Sequence, residues 1–318
     1  MTLLTATAPE QMAGMRLDQV LAELFPDYSR SRLQTWIKGG RVLVDGKPLK
    51  AKDRLYGGEH IELDAEAEQV LQCLAEDIPL QVIYEDEALL IVDKPAGLVV
   101  HPAAGNWQGT LQNALLHHEP SLAALPRAGL VHRIDKDTSG LLMVAKTLQA
   151  HNSLVVQLQA RTIHREYLAV VVGRMTAGGS VDQPLGRHPV DRKRFAVRET
   201  GKPAVSHYRV MERFTGYTLI QVRLETGRTH QIRVHMEAIH YPLVGDPVYA
   251  GRFRLPPNCS ERLAEVLRGV NRQALHAAQL GLDHPLSGEY CQWQSPLPED
   301  MQRLLAALRE HDERLAAG

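Results

Sequence analysis

The chain has 318 residues, 44% of them hydrophobic, and its 36 Lys+Arg nearly balance 37 Asp+Glu for a formal net charge of -1. That length suits one large domain or two unequal ones, and the charge balance excludes a uniformly basic nucleic-acid coat. Aromatic residues make up only 5%, so a broad stacking platform for single strands is not expected.

Cysteine use and hydropathy predict the compartment. Cys73, Cys259 and Cys291 are odd in number and far apart, so neither a disulfide framework nor a structural zinc site is expected. The first fifteen residues contain no Lys or Arg, unlike a secretory signal, and the apolar runs fall short of the ~20 residues of a membrane helix. We therefore expect a cytoplasmic monomer that does not contact membranes.

The near-zero net charge conceals blocks of one sign. Residues 28–54 carry eight basic and two acidic side chains, and residues 59–87 carry ten acids and no Lys or Arg. Residues 187–213 again carry eight basic side chains against three acids. Single blocks are typical of solvated faces, but two basic blocks around an acidic one favour a polyanionic ligand.

The first basic block lies in a predicted small α+β module. Its predicted elements are a helix over 16–25 with apolar residues at i, i+3, i+4 and i+7, a second helix capped by Ser29 or Ser31 and running through Trp36, a hairpin over 41–49 with an Asp45-Gly46 turn, and a strand over 58–63. Residues 64–78 follow as an acidic, weakly patterned linker.

From residue 79 onwards the pattern predicts one long α+β domain. Strands are predicted at 82–84, 89–92, Val131, 141–145, 163–172, 205–211 and 217–224. Helices are predicted from a Thr110 cap through His117, from a Thr147 cap through Gln159, and over 301–315.

Residues suited to chemistry gather in three clusters of this domain. The first spans 132–140, where adjacent cations favour charged carboxylates, although Asp135 and Asp137 taken locally are typical turn formers. The second spans 225–235, where a predicted Thr229 cap would bring two arginines to a helix start that favours anions. The third is Arg165-Glu166-Tyr167, although a lone strand tyrosine is usually a core residue.

Taken together, these clusters resemble the RluA family of pseudouridine synthases. The matching segments are His132–Asp135 with Thr138–Leu142, Arg165–Ala169, Thr226–His235, Val92–Pro102, His240–Asp246 and Leu275–Ala277. The N-terminal helices and hairpin resemble the S4-type RNA-binding domain, so that the likeness covers about residues 16–298 in order. Ile134 stands where the family usually has Leu, a swap of equal volume that should leave the adjacent aspartate in place.

The resemblance implies an α+β fold and an activity. It implies an S4-like RNA-binding domain at 1–63, the acidic linker at 64–78 and a mixed-sheet pseudouridine synthase catalytic domain at 79–318. The expected activity is isomerisation of specific uridines in 23S ribosomal RNA of the large subunit. Because the reaction is an isomerisation, no metal or other cofactor is expected.

The resemblance also implies roles for single residues. Asp135 would be the nucleophile, Arg233 its ion-pair partner, and Tyr167 the residue that stacks on the target base. Arg133 would enter the space that the flipped base vacates. The RNA backbone would be held by the basic residues of the S4-like module, namely Arg30, Arg32, Lys38 and Arg41.

Two other classes of protein stay open at this stage. An RNA-binding or ribosome-assembly protein without chemistry would account for the S4-like module but not for the three clusters. A metal-dependent hydrolase is suggested by the fifteen histidines. However, no H-E-x-x-H motif is present, and His230 and His235 are five apart rather than the four that a shared helix face needs.

Overall fold

The computed structural model describes residues 2–26, 28, 30–65, 73–103, 106–191, 194–256 and 258–317. Contacts divide the chain into two compact units, Met1–Gln72 and Cys73–Gly318. None of the helices formed by the described residues combines the length and hydropathy that crossing a membrane requires.

The smaller unit packs two short helices with a four-stranded antiparallel sheet. Its helices are α1 (Leu17–Leu24) and α2 (Arg30–Lys38), and its strands are β1 (Thr2–Thr7), β2 (Val42–Val44), β3 (Lys47–Pro48) and β4 (His60–Ala65), in the spatial order β1-β4-β2-β3. Leu17 and Leu21 form one apolar stripe of α1 and are fully buried together with Leu33 of α2. Alternate residues of β4 complete this core, as expected for a strand with one covered face.

Most predictions for this unit are confirmed. Both helices and the hairpin are present, and Asp45 and Gly46 have φ values of 49° and 72°, as a two-residue hairpin turn requires. Strand β1 was not predicted, because its pairing with β4 is a long-range contact without a local signature. The predicted Ser29 cap and residues 66–72 of the predicted linker lie outside the described residues.

The described residues of the larger unit form a nine-stranded mixed sheet. The strands of this unit are β5 (Gln81–Glu85), β6 (Leu89–Lys94), β7 (Ser139–Ala145), β8 (His164–Val172), β9 (Gly179–Asp182), β10 (Leu185–Arg187), β11 (Phe195–Val197), β12 (Val205–Phe214), β13 (Tyr217–Leu224), β14 (Leu275–Asp283) and β15 (Tyr290–Gln294). The order is β5-β6-β7-β14-β8-β13-β12-β9, with β15 on β14, and β10 pairs with β11 separately. The β7–β14 pair is parallel and the other pairs of the large sheet are antiparallel.

Helices cover both faces of this sheet. They are α3 (Leu111–His118), α4 (Leu148–Ala160), α5 (Gln231–Ala238), α6 (Glu261–Gly269) and α7 (Glu299–Ala317). On β8, Tyr167, Ala169 and Val171 share a core with α3 and α5, whereas Val170 shares one with α6 and α7. Because strand side chains alternate between faces, Tyr167 lies on the same side of the sheet as α5.

The predicted elements of the larger unit are confirmed except for the strand at Val131 and the helix cap at Thr229. Thr110 and Thr147 cap α3 and α4, each accepting a backbone N–H three residues later. The predicted strand at Val131 is wrong, since only Leu130 forms an isolated bridge there and the next residues are irregular. This irregular segment leads directly into the first predicted cluster.

Candidate active site

Asp135 lies in a tight loop before β7 that is held from outside at two consecutive carbonyls. The Lys136 carbonyl accepts a hydrogen bond from Lys94 Nζ at 2.9 Å. The Asp137 carbonyl accepts one from Arg272 Nη1 at 3.0 Å. Since the two donors come from different parts of the unit, the loop has one preferred position and presents the Asp135 side chain to one pocket.

The Asp135 carboxylate forms an ion pair with Arg233. Arg233 Nη1 lies 3.0 Å from Asp135 Oδ2, and the two side chains are 6% and 17% exposed. A carboxylate that loses most of its water needs a nearby cation, and a buried guanidinium is a strong partner in such a setting. The pair therefore offers a poorly hydrated, accessible carboxylate.

A second carboxylate, Asp246, holds the other edge of the same guanidinium. It accepts hydrogen bonds from Arg233 Nε at 2.7 Å and Nη2 at 2.9 Å, and its side chain is fully buried. Its Oδ1 also accepts the N–H groups of Val248 and Tyr249. Burial opposes the charged guanidinium, but Asp246 and Asp135 outweigh it and raise the pKa of Arg233 above its ordinary value. Asp246 thus sets the guanidinium plane and leaves Nη1 for Asp135.

Arg233 is carried by the first turn of α5. The helix begins after His230, whose φ of 57° is left-handed. The predicted Thr229 cap is therefore wrong, because the cap position requires a left-handed backbone that a β-branched residue strongly disfavours. Gln231 fixes the approach to the helix, its Oε1 accepting the N–H of Arg228 at 3.0 Å.

Tyr167 and His230 form further walls of the pocket. Among the residues that line it are Ile134, Asp135, Tyr167, His230, Ile232 and Arg233. Tyr167 is 6% exposed, and burial raises the pKa of its phenol, so the hydroxyl is neutral near neutral pH. His230 Nε2 lies 4.0 Å from Asp135 Oδ1, and Nδ1 lies 2.9 Å from the Tyr249 hydroxyl. Burial lowers the pKa of His230 against the pull of Asp135, which favours a neutral ring.

A buried lysine, Lys94, hydrogen-bonds to the loop that carries Asp135. Lys94 is fully buried, and its Nζ donates to the carbonyls of Pro95, Leu98 and Lys136 at 2.7, 2.9 and 2.9 Å. Burial lowers the pKa of Lys94 to about 7. In its protonated form the amino group has three N–H donors for these three carbonyl acceptors. Lys94 therefore links the turn that follows it, up to Leu98, to the Asp135 loop.

The structure brings three of the predicted site residues together and places a fourth at the edge. Asp135, Tyr167 and Arg233, which are far apart in sequence, line one pocket. Arg133 also lines it and is exposed, with Nη1 3.5 Å from His101 Nε2.

The four basic residues predicted in the smaller unit lie on α2 or just after it. Arg30 Nη2 pairs at 2.8 Å with the buried carboxylate of Asp18, and about half of the Arg30 side chain stays exposed. Arg32 lies over an aromatic ring, 4.6 Å from its centroid, and Arg41 lies 3.9 Å from a carboxylate. Lys38 is exposed in the last turn of α2. Arg30 therefore also stabilises the fold of this unit.

Sequence reasoning assigned no role to Asp246, Lys94 or His230. Asp246 and Lys94 lie in segments that match the family, which was the available signal, but their burial and partners depend on tertiary packing. Across the described ranges, no group of three or more His, Cys, Asp or Glu side chains is arranged to hold a metal ion. The hydrolase alternative therefore has no ligand set in that part of the chain.

Comparison with known proteins agrees with this geometry. The profile of the RNA pseudouridylate synthase family matches residues 88–238, and that of the S4 domain matches residues 15–61. A Pseudomonas aeruginosa protein named ribosomal large subunit pseudouridine synthase D is 58% identical over 308 residues, covering 97% of this chain and 96% of its own. The chain belongs to the RNA pseudouridylate synthase family. Members are RNA isomerases, which decides against a binding protein without chemistry.

Two further similarities support this pseudouridylate synthase fold. A protein of the same name from Escherichia coli is 56% identical over 307 residues, covering 96% of this chain and 94% of its own. The solved structure of human RNA pseudouridylate synthase domain containing 4 covers 72% of this chain and 93% of its own, with a TM-score of 0.56 and 24% identity. The predicted α+β class, an S4 domain followed by a pseudouridine synthase domain, is confirmed.

Proposed function

We propose that this pseudouridine synthase acts on ribosomal RNA of the large subunit, with Asp135 as the reacting carboxylate and without a cofactor. The supporting observation is the Asp135 carboxylate, 3.0 Å from the Arg233 guanidinium and in one pocket with Tyr167. The names of the Pseudomonas and Escherichia relatives support ribosomal RNA as substrate. That substrate in turn supports a cytoplasmic location.

The pocket residues divide the reaction between them. The N1–C1′ bond of uridine breaks, the base turns, and C5 bonds to C1′. The C5 proton leaves and N1 takes up a proton, so that the product is an isomer of the substrate. A carboxylate suits this sequence because it can add covalently and leave again. Arg233 holds Asp135 in place. Tyr167 stacks on the base and relays the C5 proton, its neutral hydroxyl giving up its own proton as it takes the new one.

The target base must leave its helix to reach this pocket. Flipping costs roughly a few kcal/mol, and least where the base is already unpaired. Arg133 is exposed at the edge of the pocket, next to His101, and is placed to fill the vacated space. We therefore assign Arg133 to the flipped state of the RNA.

Residues 1–63 hold the RNA in this proposal, 64–78 serve as a linker, and 79–318 carry out the chemistry. The positioning contacts come from Arg30, Arg32, Lys38 and Arg41, which bind phosphates without reading bases. Lys38→Gln tests this role, since Lys38 is exposed and makes no hydrogen bond that the fold of the described residues needs. We expect weaker RNA binding with a salt slope smaller by roughly 0.7 to 0.9, and an unchanged slope contradicts the assignment.

Asp135→Asn tests the catalytic assignment. Tritium release from RNA labelled at uridine C5 should disappear, while RNA binding by filter retention persists. Asp137→Asn is the matched control, because that carboxylate lies two residues away and lines no part of the pocket. Normal release by Asp135→Asn, or an equal loss in both variants, contradicts the proposal.

A further inference from the structure

Arg165 is a buried cation without a counter-ion among the described residues. It stands two residues before Tyr167 on β8, so both side chains lie on the same face of the strand. Arg165 is 7% exposed, and its buried Nε makes no hydrogen bond within the described structure. The guanidinium reaches the pocket that holds Asp135.

The burial of Arg165 without a counter-ion in the described part of the chain costs stability, and the surrounding structure leaves space for the side chain. An unpaired buried charge destabilises a fold, and Arg233, equally buried, has two carboxylates while Arg165 has none among the described side chains. Room for the guanidinium depends on Gly227, where an added Cβ would lie 2.8 Å from Arg165 Nη1. The unmet charge and the space kept for it indicate an anion that binds from outside.

A basic cleft adjoins the pocket at this point. We define the basic cleft by its charged lining residues Arg127, Arg133, Arg161, Arg165, Arg228 and Glu225. Among the described residues that line it, the one carboxylate is already paired. Glu225 lies 3.2 Å from Arg161 Nη1 and 2.6 Å from His207 Nε2. The basic cleft shares Arg133, Arg165 and Arg228 with the pocket, so a chain that leaves the pocket can enter the cleft.

Two neutral histidines add unsatisfied ring nitrogens to the same wall. Burial, with a smaller effect from Arg165, lowers the pKa of His132 to about 3, and burial with Arg133 lowers that of His101 to about 4. His132 Nε2 accepts the N–H of Met143 at 3.0 Å, which leaves the proton on Nδ1. The Nδ1 atoms of both rings are buried without a partner within the described structure. Cations and an N–H donor without an opposing free carboxylate suit an anion with several acceptor oxygens.

A further arginine of the basic cleft, Arg127, lies in a strained backbone segment. Arg127 and Ala128 have φ values of 52° and 51°, a left-handed conformation that non-glycine residues rarely adopt. Gly129 follows with φ 77°, so the segment makes a short left-handed turn. Arg127 is exposed on it and lines the cleft.

We propose that Arg165 and the basic cleft bind a phosphodiester next to the target uridine, an inference that rests on the proposed function. With the base in the pocket, the adjacent backbone lies in the cleft, and its phosphate supplies the missing counter-ion of Arg165. Arg165 is then a substrate-binding residue that fixes the position of the flipped nucleotide relative to Asp135.

Arg165→Met tests this binding role directly. RNA affinity should fall roughly 10- to 100-fold, the usual worth of a charge-assisted hydrogen bond. The slope of log affinity against log salt should shrink by roughly 0.7 to 0.9, as for one lost phosphate contact. Arg209→Met is the matched control, since Arg209 is exposed on β12, bonds Gln221 and lines neither the pocket nor the cleft. Unchanged affinity and slope in Arg165→Met overturn the proposal.

Neutral phosphate analogues identify the contact. A methylphosphonate placed 5′ or 3′ of the target uridine should weaken binding to the wild-type protein at one of the two positions. At that position Arg165→Met should bind the modified and natural RNA equally well. Additive losses would mean that Arg165 contacts a base or sugar instead, which overturns the assignment.

Measurements of stability and of activity distinguish a lost phosphate contact from unfolding and from failure of the proposed function. The melting temperature of Arg165→Met should equal or exceed that of the wild type, because an unpaired buried charge is removed. If the variant unfolds, Arg165→Gln, which is neutral but keeps a polar side chain, is tested with the same methylphosphonate RNAs. Equal sensitivity of the wild type and Arg165→Gln to the neutral linkage contradicts the proposal. Tritium release by the wild type is measured first: its absence refutes the proposed function, whereas release combined with Arg165-independent binding refutes only this inference.

Discussion

Asp246 and Asp135 bind opposite edges of one guanidinium, with Asp246 Oδ2 2.7 Å from Arg233 Nε and Asp135 Oδ2 3.0 Å from Arg233 Nη1. Asp246 is fully buried and does not line the pocket, whereas Asp135 does. The buried carboxylate therefore orients Arg233, and Arg233 orients the reacting one. Such a site is organised before the substrate arrives, so little reorganisation is needed during the reaction.

Asp246→Asn should damage both stability and activity. Removing one partner of a buried ion pair typically costs about 3–5 kcal/mol. We expect a loss near the lower end of that range, because Arg233 would still have Asp135 as a counter-charge. Arg233 would also lose its fixed plane, and we expect the rate of tritium release to fall by about 100-fold or more, as misplacement by ~1 Å can cause. Urea denaturation and the release assay measure the two effects. Asp283→Asn at the exposed end of β14 is the control, and wild-type behaviour of Asp246→Asn contradicts the prediction.

Lys94 should make stability depend on pH. Its pKa is about 7 in the folded protein because of burial, against about 10.4 in an unfolded chain. Between these values the unfolded chain holds a proton that the folded chain has released, so the free energy of unfolding rises with pH. Lys94→Met lacks this titration. The stability of the wild type relative to Lys94→Met should therefore increase from about pH 7 to about pH 10 in urea denaturation, and a constant difference refutes the assigned pKa.

Local patterns in the sequence account for much of the fold. Apolar spacing and threonine caps place α1, α3 and α4, and the Asp45-Gly46 pair places the hairpin, because each signal acts within a few residues. Strand β1 and the parallel β7–β14 contact left no local signal, since their partners are distant along the chain. Long-range pairing is decided by packing, which a single sequence does not display.

The candidate site is likewise predictable only in part from the sequence. Asp135, Tyr167 and Arg233 could be named from motif resemblance, although 98 residues separate the first from the last. The roles of Asp246 and Arg165 could not, because one depends on a buried ion pair and the other on the lack of one among the described residues. The predicted Thr229 cap was wrong because α5 begins one residue later, after His230, whose backbone is left-handed.

Tyr167→Phe should separate stacking from proton transfer. The ring that lies against the base is kept, but the hydroxyl, neutral because burial raises the pKa of Tyr167, is removed. If the hydroxyl takes part in moving the C5 proton, the rate should fall by roughly 10²–10⁴ while RNA affinity is retained. Tyr217→Phe is a matched control, a buried strand tyrosine on β13 that does not line the pocket. Equal rates for the two variants would show that the Tyr167 hydroxyl takes no part in proton transfer and that the ring only stacks on the base.

Gly140→Ala should disrupt the strand pairing beside the catalytic loop. Gly140 has φ 113° and pairs with Ala277 of β14, whose backbone N would lie 2.6 Å from an added Cβ. Strain and overlap together predict a loss of roughly 2–5 kcal/mol. Gly97→Ala is the control, since φ is 89° there but nothing lies within 4 Å, so only the conformational cost of roughly 1 kcal/mol applies. Urea denaturation compares the stability of the two variants. Because β7 begins four residues after Asp135, Gly140→Ala should also lose tritium release, whereas Gly97→Ala keeps it. Similar stability of both variants would show that the close β7–β14 contact is not what requires glycine at 140.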